Sequence, residues 1–542
     1  MRSAWATIGL VVLVFLSTAR SLENGFAFDD VPIIAENDQV HRLDPPWVYA
    51  QQSYWPPRNL GDAYRPLTVW GFAIQWAASG GKPFLFHAVN LALTVLATLM
   101  VFALGRRLVP FWAAWLGAAL FAVHPVHVEA TANVVGQAEL WMTVFTGLGV
   151  WLYLGTVRPD KAPEPRGGGA VGRRVLIAVC LVLAAAAKEQ GIVLLGLLIA
   201  ADVFVISRPG SGRERLRAVA PNYILLTVAA VGFGVSRYLV LGDLGGGPPA
   251  KGLAGLTIAE RTVAMLPVAL EWLRLLAWPN ALAAQYSPPG YAGSHGWSVA
   301  ATAGLTVVIG LALLAVRLRR GAPVVAFGIA WMAIAILPVS NILFATGIVI
   351  AERTLLLPSV GLVLAVAGAA ALLPGRIARH VAVALAGGLI ILGVSRSYSR
   401  QAVWADNPTL FAQTVIDGPT SYRAFYVHGR DLARRRKTLD AIDSFERAAA
   451  LYSGDERVFE EWGQVLRSEG DCVRAVPIFE RGVEAAPTGT LSRSRLVECL
   501  LKTGRYAEAK RVADAGLALG LTEFKSGSER AAHALDSLAG RH

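Results

Sequence analysis

The sequence predicts an all-α, polytopic membrane protein that carries a C-terminal α-solenoid. Apolar runs of helix length follow one another up to about residue 400, whereas residues 401–542 are soluble in character and repeat with a period of about 34 residues. Hydrophobic residues make up 54% and charged residues 16% of the chain, and the mean hydropathy is +0.49. These values differ strongly from those of an average soluble domain. We therefore predict a membrane domain, 1–400, and a soluble domain, 401–542.

The period of the soluble domain is that of the tetratricopeptide repeat (TPR), a helix pair whose small residues let neighbouring helices approach closely. Residues that match after a shift of one period are Gly429 and Gly463; Leu432, Leu466 and Leu500; Ala441, Ala475 and Ala509; and Phe445 and Phe479. We predict about three repeats, preceded by a docking helix over 404–416 that begins at Asp406, Asn407 and Pro408. The concave face of such an array is typically a peptide groove, and a rigid spacer is the alternative.

The membrane domain begins with an apolar run from Ala4 to Ala19, which we interpret as an uncleaved anchor because no small-x-small cleavage site precedes Glu23. Runs of similar character follow along the rest of the domain. The further candidate spans are 84–104, 111–123, 139–157, 174–187, 190–206, 218–240, 260–278, 298–316, 323–340, 354–373 and 379–396.

The charges in the loops orient these spans, because Lys and Arg concentrate in cytoplasmic loops. The arginine-rich loops share one side only if segment 260–278, which contains Glu260 and Arg274, does not cross the membrane. We predict that this segment is an interfacial or re-entrant helix. About eleven spans result, with the N-terminus in the cytoplasm and the repeats outside. The net charge of +12 thus reflects orientation, and no basic face interleaved with aromatics indicates a nucleic-acid partner.

The unusual polar motifs of the membrane domain all fall on the predicted outer face, and the first is the pair Asp29 and Asp30. Adjacent carboxylates suit a general base, because one can raise the pKa of the other. They also suit a divalent cation such as Mg²⁺ or Mn²⁺. The alternative is a helix cap or turn.

Arg65 lies at the end of the same loop and suits bidentate binding of a phosphate. The alternative is an interfacial anchor, with Tyr54, Trp55 and Tyr64 at the depth of the lipid headgroups.

The next outer turn contains His124, His127 and Glu129. A metal site is one interpretation, although Pro125 lies between the histidines and the spacing does not put all three side chains on one helical face. Binding of a phosphate or a sugar hydroxyl is favoured, and a structural polar turn is the alternative.

Two further motifs pair a cation with a carboxylate. Lys188 and Glu189 interrupt a long apolar stretch, and Glu352 and Arg353 precede a later span. Such a pair can neutralise itself at a helical hairpin, or its cation can hold an anionic lipid headgroup. Cations and carboxylates on one face are what the cleavage of a lipid-linked phosphate requires.

The ordered motifs resemble those of the transmembrane and TPR repeat-containing (TMTC-type) O-mannosyltransferases, and the resemblance extends over essentially the whole chain. They are Phe28-Asp29-Asp30, Tyr64-Arg65-Pro66-Leu67-Thr68, His124-Pro125-Val126-His127-Val128-Glu129, Lys188-Glu189-Gln190-Gly191 and Ala351-Glu352-Arg353-Thr354-Leu355. The resemblance implies a membrane glycosyltransferase of the C superfamily (GT-C). Such an enzyme moves a sugar, here mannose, from a polyprenyl-phosphate carrier to a Ser or Thr hydroxyl of a protein, with inversion, on the non-cytoplasmic face.

On this interpretation Asp29 or Asp30 is the catalytic base. The donor site comprises Arg65, His124, His127, Glu129, Lys188, Glu189, Glu352 and Arg353. The repeat array captures the acceptor polypeptide. Two rivals stay open: a non-enzymatic membrane-anchored scaffold, and a GT-C enzyme whose acceptor is a glycan or a lipid.

The composition favours a bacterial source, since the chain is rich in Ala, Gly and Arg and poor in Lys. That source implies an undecaprenyl-like carrier and an inner-membrane protein whose active site and repeats face the periplasm; a eukaryotic source would imply the ER membrane. Cys180, Cys472 and Cys499 are expected to form neither a metal site nor a disulfide, from their spacing.

Overall fold

A computed structural model describes residues 2–56, 63–156, 168–206, 211–244, 247–288 and 296–539. The regular structure is helical, as predicted. The chain divides into two compact units. The first comprises Met1–Ala250, Gly255–Leu282 and His295–Leu410, and the second comprises Lys251–Ala254, Ala283–Ser294 and Phe411–His542.

The first unit is built from apolar helices joined by short polar turns. Prolines at the first helical turn and capping boxes such as Ser211 with Glu214 begin several of them. Its helices are α1 Arg2–Thr18, α2 Pro46–Tyr49, α3 Pro66–Ser79, α4 Pro83–Leu108, α5 Phe111–Ala122, α6 Val128–Ala132, α7 Gln137–Leu154, α8 Gly168–Ala187, α9 Leu194–Phe204, α10 Gly212–Leu241, α11 Ile258–Ala277, α12 Val299–Leu318, α13 Pro323–Ile336, α14 Leu356–Ala371 and α15 Gly375–Gln401. Helix α16, Asn407–Asp417, begins in this unit and ends in the second.

Among the described residues, 7 helices are long and apolar enough to cross a membrane. They are Ser3–Glu23, Pro83–Leu108, Ala170–Ala187, Gly212–Leu241, Val299–Leu318, Glu352–Ala371 and Gly375–Trp404. The bent pair Phe111–Ala122 and Pro125–Ala132 makes 8 if it is one broken span. Helix α11 is not among them, and neither are α7, α9 and α13, which were predicted to cross, so the interfacial placement of α11 stays a prediction. An integral membrane protein is confirmed, whereas the number of eleven spans stays a prediction.

Close packing of α13 on α14 illustrates how the core of this unit is held. A Cβ on either Gly328 or Gly361 would overlap the carbonyl oxygen of the other, so the two backbones can approach only because both residues lack a side chain. The indole of the fully buried Trp331 donates to the Leu357 carbonyl at 2.9 Å. This contact satisfies the one polar atom of a large apolar side chain.

A network of three buried amides holds the turn between α6 and α7. Asn90 donates to the carbonyl oxygens of Thr131 and Asn133 at 3.3 and 3.1 Å. Gln137 donates to Asn90 at 2.8 Å and exchanges hydrogen bonds with Gln75. Because each buried amide has a partner, the network fixes the backbone of this turn rather than destabilising it.

The second unit contains the predicted helix pairs. They are α17 Tyr422–Arg434 with α18 Thr438–Leu451, α19 Glu456–Ser468 with α20 Cys472–Ala485, and α21 Leu491–Lys502 with α22 Tyr506–Ala518, followed by α23 Lys525–Ala539. Three pairs agree with the three repeats predicted from the period.

The recurring glycines have a packing role. A Cβ on Gly429 would lie 2.9 Å from the ring of Phe445, and a Cβ on Gly463 would overlap the ring of Phe479. The corresponding positions of the third pair carry Val497 and Ala513, which pack in one buried cluster. The small and the large residue have exchanged helices there, so the space between the two helices stays filled.

The prediction that the cysteines form no disulfide is wrong. Cys472 in α20 is bonded to Cys499 in α21 across a sequence separation of 27 residues. Cysteine spacing in a sequence does not reveal which helix faces meet, and packing of the second repeat on the third brings these two side chains together. Cys180 is a free, buried cysteine in α8.

Candidate active site

The two adjacent aspartates that follow α1 have different environments. Asp30 is fully buried and accepts hydrogen bonds from the backbone amides of Val135 at 2.8 Å, Val134 at 3.1 Å and Ala27 at 3.4 Å. Burial raises the pKa of Asp30 to about 7 in spite of these three donors. Both carboxylate oxygens are engaged, so Asp30 holds the turn at residues 134–136 against the loop that carries Asp29.

Asp29 points to a different partner, the guanidinium of Arg353, at 3.3 Å. Arg353 also donates to Glu129, through Nη1 at 2.6 Å and through its backbone amide at 2.9 Å. Its Nε lies 3.9 Å from the carboxylate of Glu139. One cation from the turn before α14 thus gathers carboxylates from three other segments of the chain.

Lys188 completes this arrangement. Its ammonium group lies 2.5 Å from Glu139, and both side chains are buried. Burial lowers the pKa of Lys188 although Glu139 opposes the shift. The second oxygen of Glu139, Oε2, has no hydrogen-bond partner among the described residues. We refer to Asp29, Glu129, Glu139, Lys188 and Arg353 as the Arg353 cluster.

Arg65 forms a neighbouring pair with Glu189. Its Nε lies 3.2 Å from the Glu189 carboxylate, which also accepts from the backbone amide of Tyr64. The guanidinium stacks 4.6 Å above the ring of Tyr54. Tyr54 and Tyr64 are buried, 2% and 3% exposed, so their interpretation as headgroup anchors is wrong. They line the environment of Arg65 instead.

Tyr54 lies close enough to Arg65 and to the Arg353 cluster to be affected by the charges of both. Burial raises its pKa, and the charges of Arg65, Asp29 and Arg353 are among the other causes of the shift. Its hydroxyl has no hydrogen-bond partner within the part of the chain that the structure describes. A buried tyrosine hydroxyl normally has such a partner. The Tyr54 hydroxyl is therefore available to donate a hydrogen bond to a substrate.

The two histidines of the outer turn make other contacts. His124 Nε2 lies 2.8 Å from the Leu276 carbonyl, and His127 Nε2 lies 2.8 Å from the Ser359 hydroxyl. Both line a small cavity whose other polar walls are Ser17, Thr18, Thr94, Thr131, Ser397 and Gln401. Among the described residues, neither histidine side chain has a hydrogen bond with the Arg353 cluster. Glu352 is buried next to Arg353 at the beginning of a short 3₁₀ turn.

The donor set does not fit a metal ion held by the aspartate pair. Both oxygens of Asp30 are used by backbone amides, and Asp29 faces a guanidinium. Within the described ranges, no group of three or more His, Cys, Asp or Glu side chains could hold a metal ion.

The structure therefore gathers Asp29, Arg65, Glu129, Lys188, Glu189 and Arg353 from the predicted set. Sequence reasoning missed Glu139, and it considered Tyr54 only as a headgroup anchor. Glu139 lies two residues after Gln137 in the polar stretch that begins at His124, where the only available signal was a carboxylate at the start of an apolar helix.

Comparison with known proteins agrees with these features. Residues 466–521 match the model of a tetratricopeptide repeat family. Protein O-mannosyl-transferase TMTC4 of Homo sapiens is 30% identical over 491 residues, 81% of this chain and 65% of that protein. Protein O-mannosyl-transferase F38B6.6 of Caenorhabditis elegans is 26% identical over 465 residues, 83% of this chain and 63% of that protein. The chain thus spans less than two thirds of the length of these curated relatives.

Among solved structures, the crystal structure of ArnT from Cupriavidus metallidurans bound to undecaprenyl phosphate has a TM-score of 0.40 and 12% identity. The alignment covers 95% of this chain and 80% of that one. The predicted resemblance to the TMTC-type transferases is confirmed by the curated relatives, and the predicted repeat is confirmed by the family match.

Proposed function

We propose that this chain, which is similar over 81% of its length to a TMTC-type protein O-mannosyl-transferase, is a membrane glycosyltransferase. It transfers mannose from a polyprenyl-phosphate carrier to Ser or Thr hydroxyls of a protein acceptor on the non-cytoplasmic face. The observation that carries the proposal is the Arg353 cluster, in which a partly accessible carboxylate lies 3.3 Å from a cation suited to phosphate.

Asp29 is the general base in this proposal. The acceptor hydroxyl oxygen attacks the anomeric carbon, its proton passes to the Asp29 carboxylate, and the bond from the anomeric carbon to the phosphate oxygen breaks. The lipid phosphate leaves with the electron pair of that bond, and the configuration is inverted. Asp30 is less suited to this role because three backbone amides already occupy its carboxylate.

The leaving phosphate is stabilised by Arg353, Lys188 and Arg65. Each of these cations is already paired with a carboxylate: Glu129, Glu139 and Glu189, respectively. The donor phosphate must therefore take over contacts from these carboxylates as it binds. The backbone amide of Arg353 also donates to Glu129, and this hydrogen bond does not involve the guanidinium, so it holds residue 353 in position while the side chain changes partner.

The sidedness of the proposal is supported by loop charge and by the disulfide. Disulfides persist in oxidising compartments and are rare in the cytosol, and Cys472–Cys499 lies in the repeats. We place the repeats and the site in the periplasm of a bacterial cell, with an undecaprenyl-like carrier. The repeat array binds the acceptor polypeptide in its concave face and raises its local concentration.

A direct assay tests the enzyme. The full chain is reconstituted with polyprenyl-phosphate mannose and a panel of Ser/Thr peptides, and products are identified by mass spectrometry. We expect mannosylated peptides. If no lipid-linked mannose is consumed, the scaffold interpretation replaces the enzyme; if mannose appears only on an added glycan or lipid, the protein acceptor is wrong.

Arg353→Ala tests the phosphate site in the same assay. A charge-assisted contact contributes about 1.5–3 kcal/mol, so the apparent donor affinity should fall by roughly 10–150-fold. The control is Arg42→Ala, which removes an exposed arginine from the loop that carries Asp29. Equal donor affinity in the two variants would contradict the assignment of Arg353.

A further inference from the structure

The loop that carries Asp29 is held by a segment almost 380 residues further along the chain. The backbone amide of Gly25 donates to the Ala405 carbonyl at 2.8 Å, and the Asn24 side chain donates to the Gln401 carbonyl at 2.9 Å. A Cβ on Gly25 would lie 3.3 Å from the Ala405 oxygen, so the close approach favours glycine. The position of the loop thus depends on residues at the end of the last apolar helix and just after it.

The residue directly before Asp29 has an unusual backbone conformation. Phe28 has φ +54°, in the left-handed region that aromatic side chains rarely adopt. Such a conformation persists only where surrounding contacts determine it, and such residues cluster at functional sites. The Phe28 amide donates to the side-chain oxygen Oδ1 of Asn407 at 2.6 Å.

The start of the helix that contains Asn407 is capped by the residue before it. Asp406 Oδ1 accepts from the Thr409 amide at 2.8 Å, at the beginning of α16. An asparagine at a helix start commonly uses its own oxygen for that purpose. Here the oxygen of Asn407 is directed across the chain to Phe28 instead.

We propose that Asn407 is a positioning residue for Asp29. Its oxygen fixes the Phe28 amide, the fixed amide keeps residue 28 in the left-handed conformation, and that conformation directs the Asp29 carboxylate toward Arg353. The inference rests on the proposed function, because it assigns Asp29 as the base. It adds a residue outside the predicted membrane domain to the machinery that sets turnover.

Steady-state kinetics of the full chain test the proposal. Asn407→Ala should lower kcat by about 10–100-fold, since small displacements of a reacting group cost that much. The KM for polyprenyl-phosphate mannose should change less than about 3-fold, because the phosphate contacts lie on other segments. Asn407→Asp keeps an accepting oxygen at this position and should recover most of kcat.

Two further variants separate positioning from general loss of structure. Phe28→Gly in the Asn407→Ala background should restore part of kcat, because glycine adopts positive φ without strain. Asp406→Ala removes the neighbouring cap and should leave kcat close to that of the wild type. The proposal is overturned if Asn407→Ala keeps full kcat, or if Asp406→Ala loses kcat and donor binding to the same extent.

Hydrogen exchange provides a readout that does not depend on activity. In the full chain, the Phe28 amide should exchange faster in Asn407→Ala than in the wild type or in Asp406→Ala. Unchanged exchange overturns the positioning role even if the enzyme is active. If the wild type consumes no lipid-linked mannose but the Phe28 amide exchanges as expected in all variants, the proposed function is refuted. The hydrogen bond between Asn407 and Phe28 is then still established.

Discussion

Each unit buries an aspartate, and the two carboxylates are stabilised by different kinds of group. Asp30 in the first unit accepts from backbone amides, and burial raises its pKa to about 7. Burial also opposes ionisation of Asp455 in the second unit, but hydrogen bonds and charge from Arg457, the charge of Lys251 and a hydrogen bond from Tyr422 lower its pKa to about 2. Backbone dipoles alone therefore do not offset the burial of a carboxylate here, whereas full charges do.

The same contrast extends to how each unit is assembled. Arg457 lies two residues from Asp455, and Tyr422 lies about one repeat before it. The amides of Val134 and Val135 lie more than 100 residues from Asp30. In the second unit, Arg457 and Tyr422 thus lie within about one repeat of Asp455 and only Lys251 comes from far along the chain, whereas both of these amides reach Asp30 from a distant segment.

The largest expected effect separates Asp29 from Asp30. Asp29→Asn should lower turnover by about 10²–10⁴-fold, the contribution of a general base, with little change in donor affinity. Turnover is measured with peptide acceptors and lipid-linked mannose. Asp38→Asn, which changes an exposed carboxylate in the same loop, is the matched control. Full transfer by Asp29→Asn would remove the functional distinction between the two adjacent aspartates.

The next largest effect concerns the stability of the second unit alone. Replacing Cys472 and Cys499 by Ser opens a loop of 27 residues, which should destabilise the array by about 3–4 kcal/mol. Thermal unfolding followed by limited proteolysis of the full chain reports fragments from each unit. Cys180→Ala, in the first unit, is the control for loss of a thiol. Equal destabilisation of both units by the double Ser variant would contradict local assembly of the array.

A smaller effect concerns the packing of the second repeat. Gly463→Ala should destabilise the array by about 1–3 kcal/mol, because the added Cβ overlaps the Phe479 ring. Gly463→Val combined with Phe479→Ala reproduces the pair found in the third repeat and should be more stable than Gly463→Ala. The same proteolysis assay measures both. If the double variant is less stable than Gly463→Ala, a Val and Ala pair fits only the surroundings that the third repeat provides.

A last test, whose effect is the smallest for each pH unit, compares the two buried aspartates through the pH dependence of stability. The raised pKa of Asp30 means that the folded protein keeps a proton that the unfolded chain has lost between about pH 4 and 7, so its contribution to stability falls as pH rises through that window. Asp455 has a lowered pKa, so its contribution is lost as pH falls from about 4 to 2.

Each group can change stability by at most about 1.4 kcal/mol per pH unit. Proteolysis-detected unfolding between pH 4 and 8 should therefore show a slope for the first unit that Asp30→Asn removes. An unchanged slope in that variant would mean that other groups titrate in this window.

Local patterns allowed much of the fold to be predicted. Apolar runs located most helices of the first unit, and the period of the array placed Phe445 and Phe479 on equivalent helices. The outer-face motifs were predicted to lie on one side from loop charge. Helix α3 was missed because its apolar run lies inside a loop rich in aromatic and polar residues.

Pairings between distant segments could not be predicted in the same way. Nothing near Arg353 in the sequence indicates that Glu129 and Asp29 are its partners, and nothing near Asp30 indicates the amides of Val134 and Val135. Such contacts depend on the helix packing that closes the chain over long separations. The disulfide was missed for the same reason, because its two cysteines belong to different repeats.

The hydrogen bond between Asn407 and Phe28 has a consequence for shortened forms of the protein. A fragment that stops at residue 400 keeps every candidate donor-site residue but lacks Asn407 and the Ala405 carbonyl. We expect such a fragment to bind lipid donor and turn over poorly, whatever the acceptor. Its inactivity would say nothing about the TPR helices, whereas a fragment that stops at Asp417, the end of α16, removes the repeats and leaves the loop of Asp29 anchored.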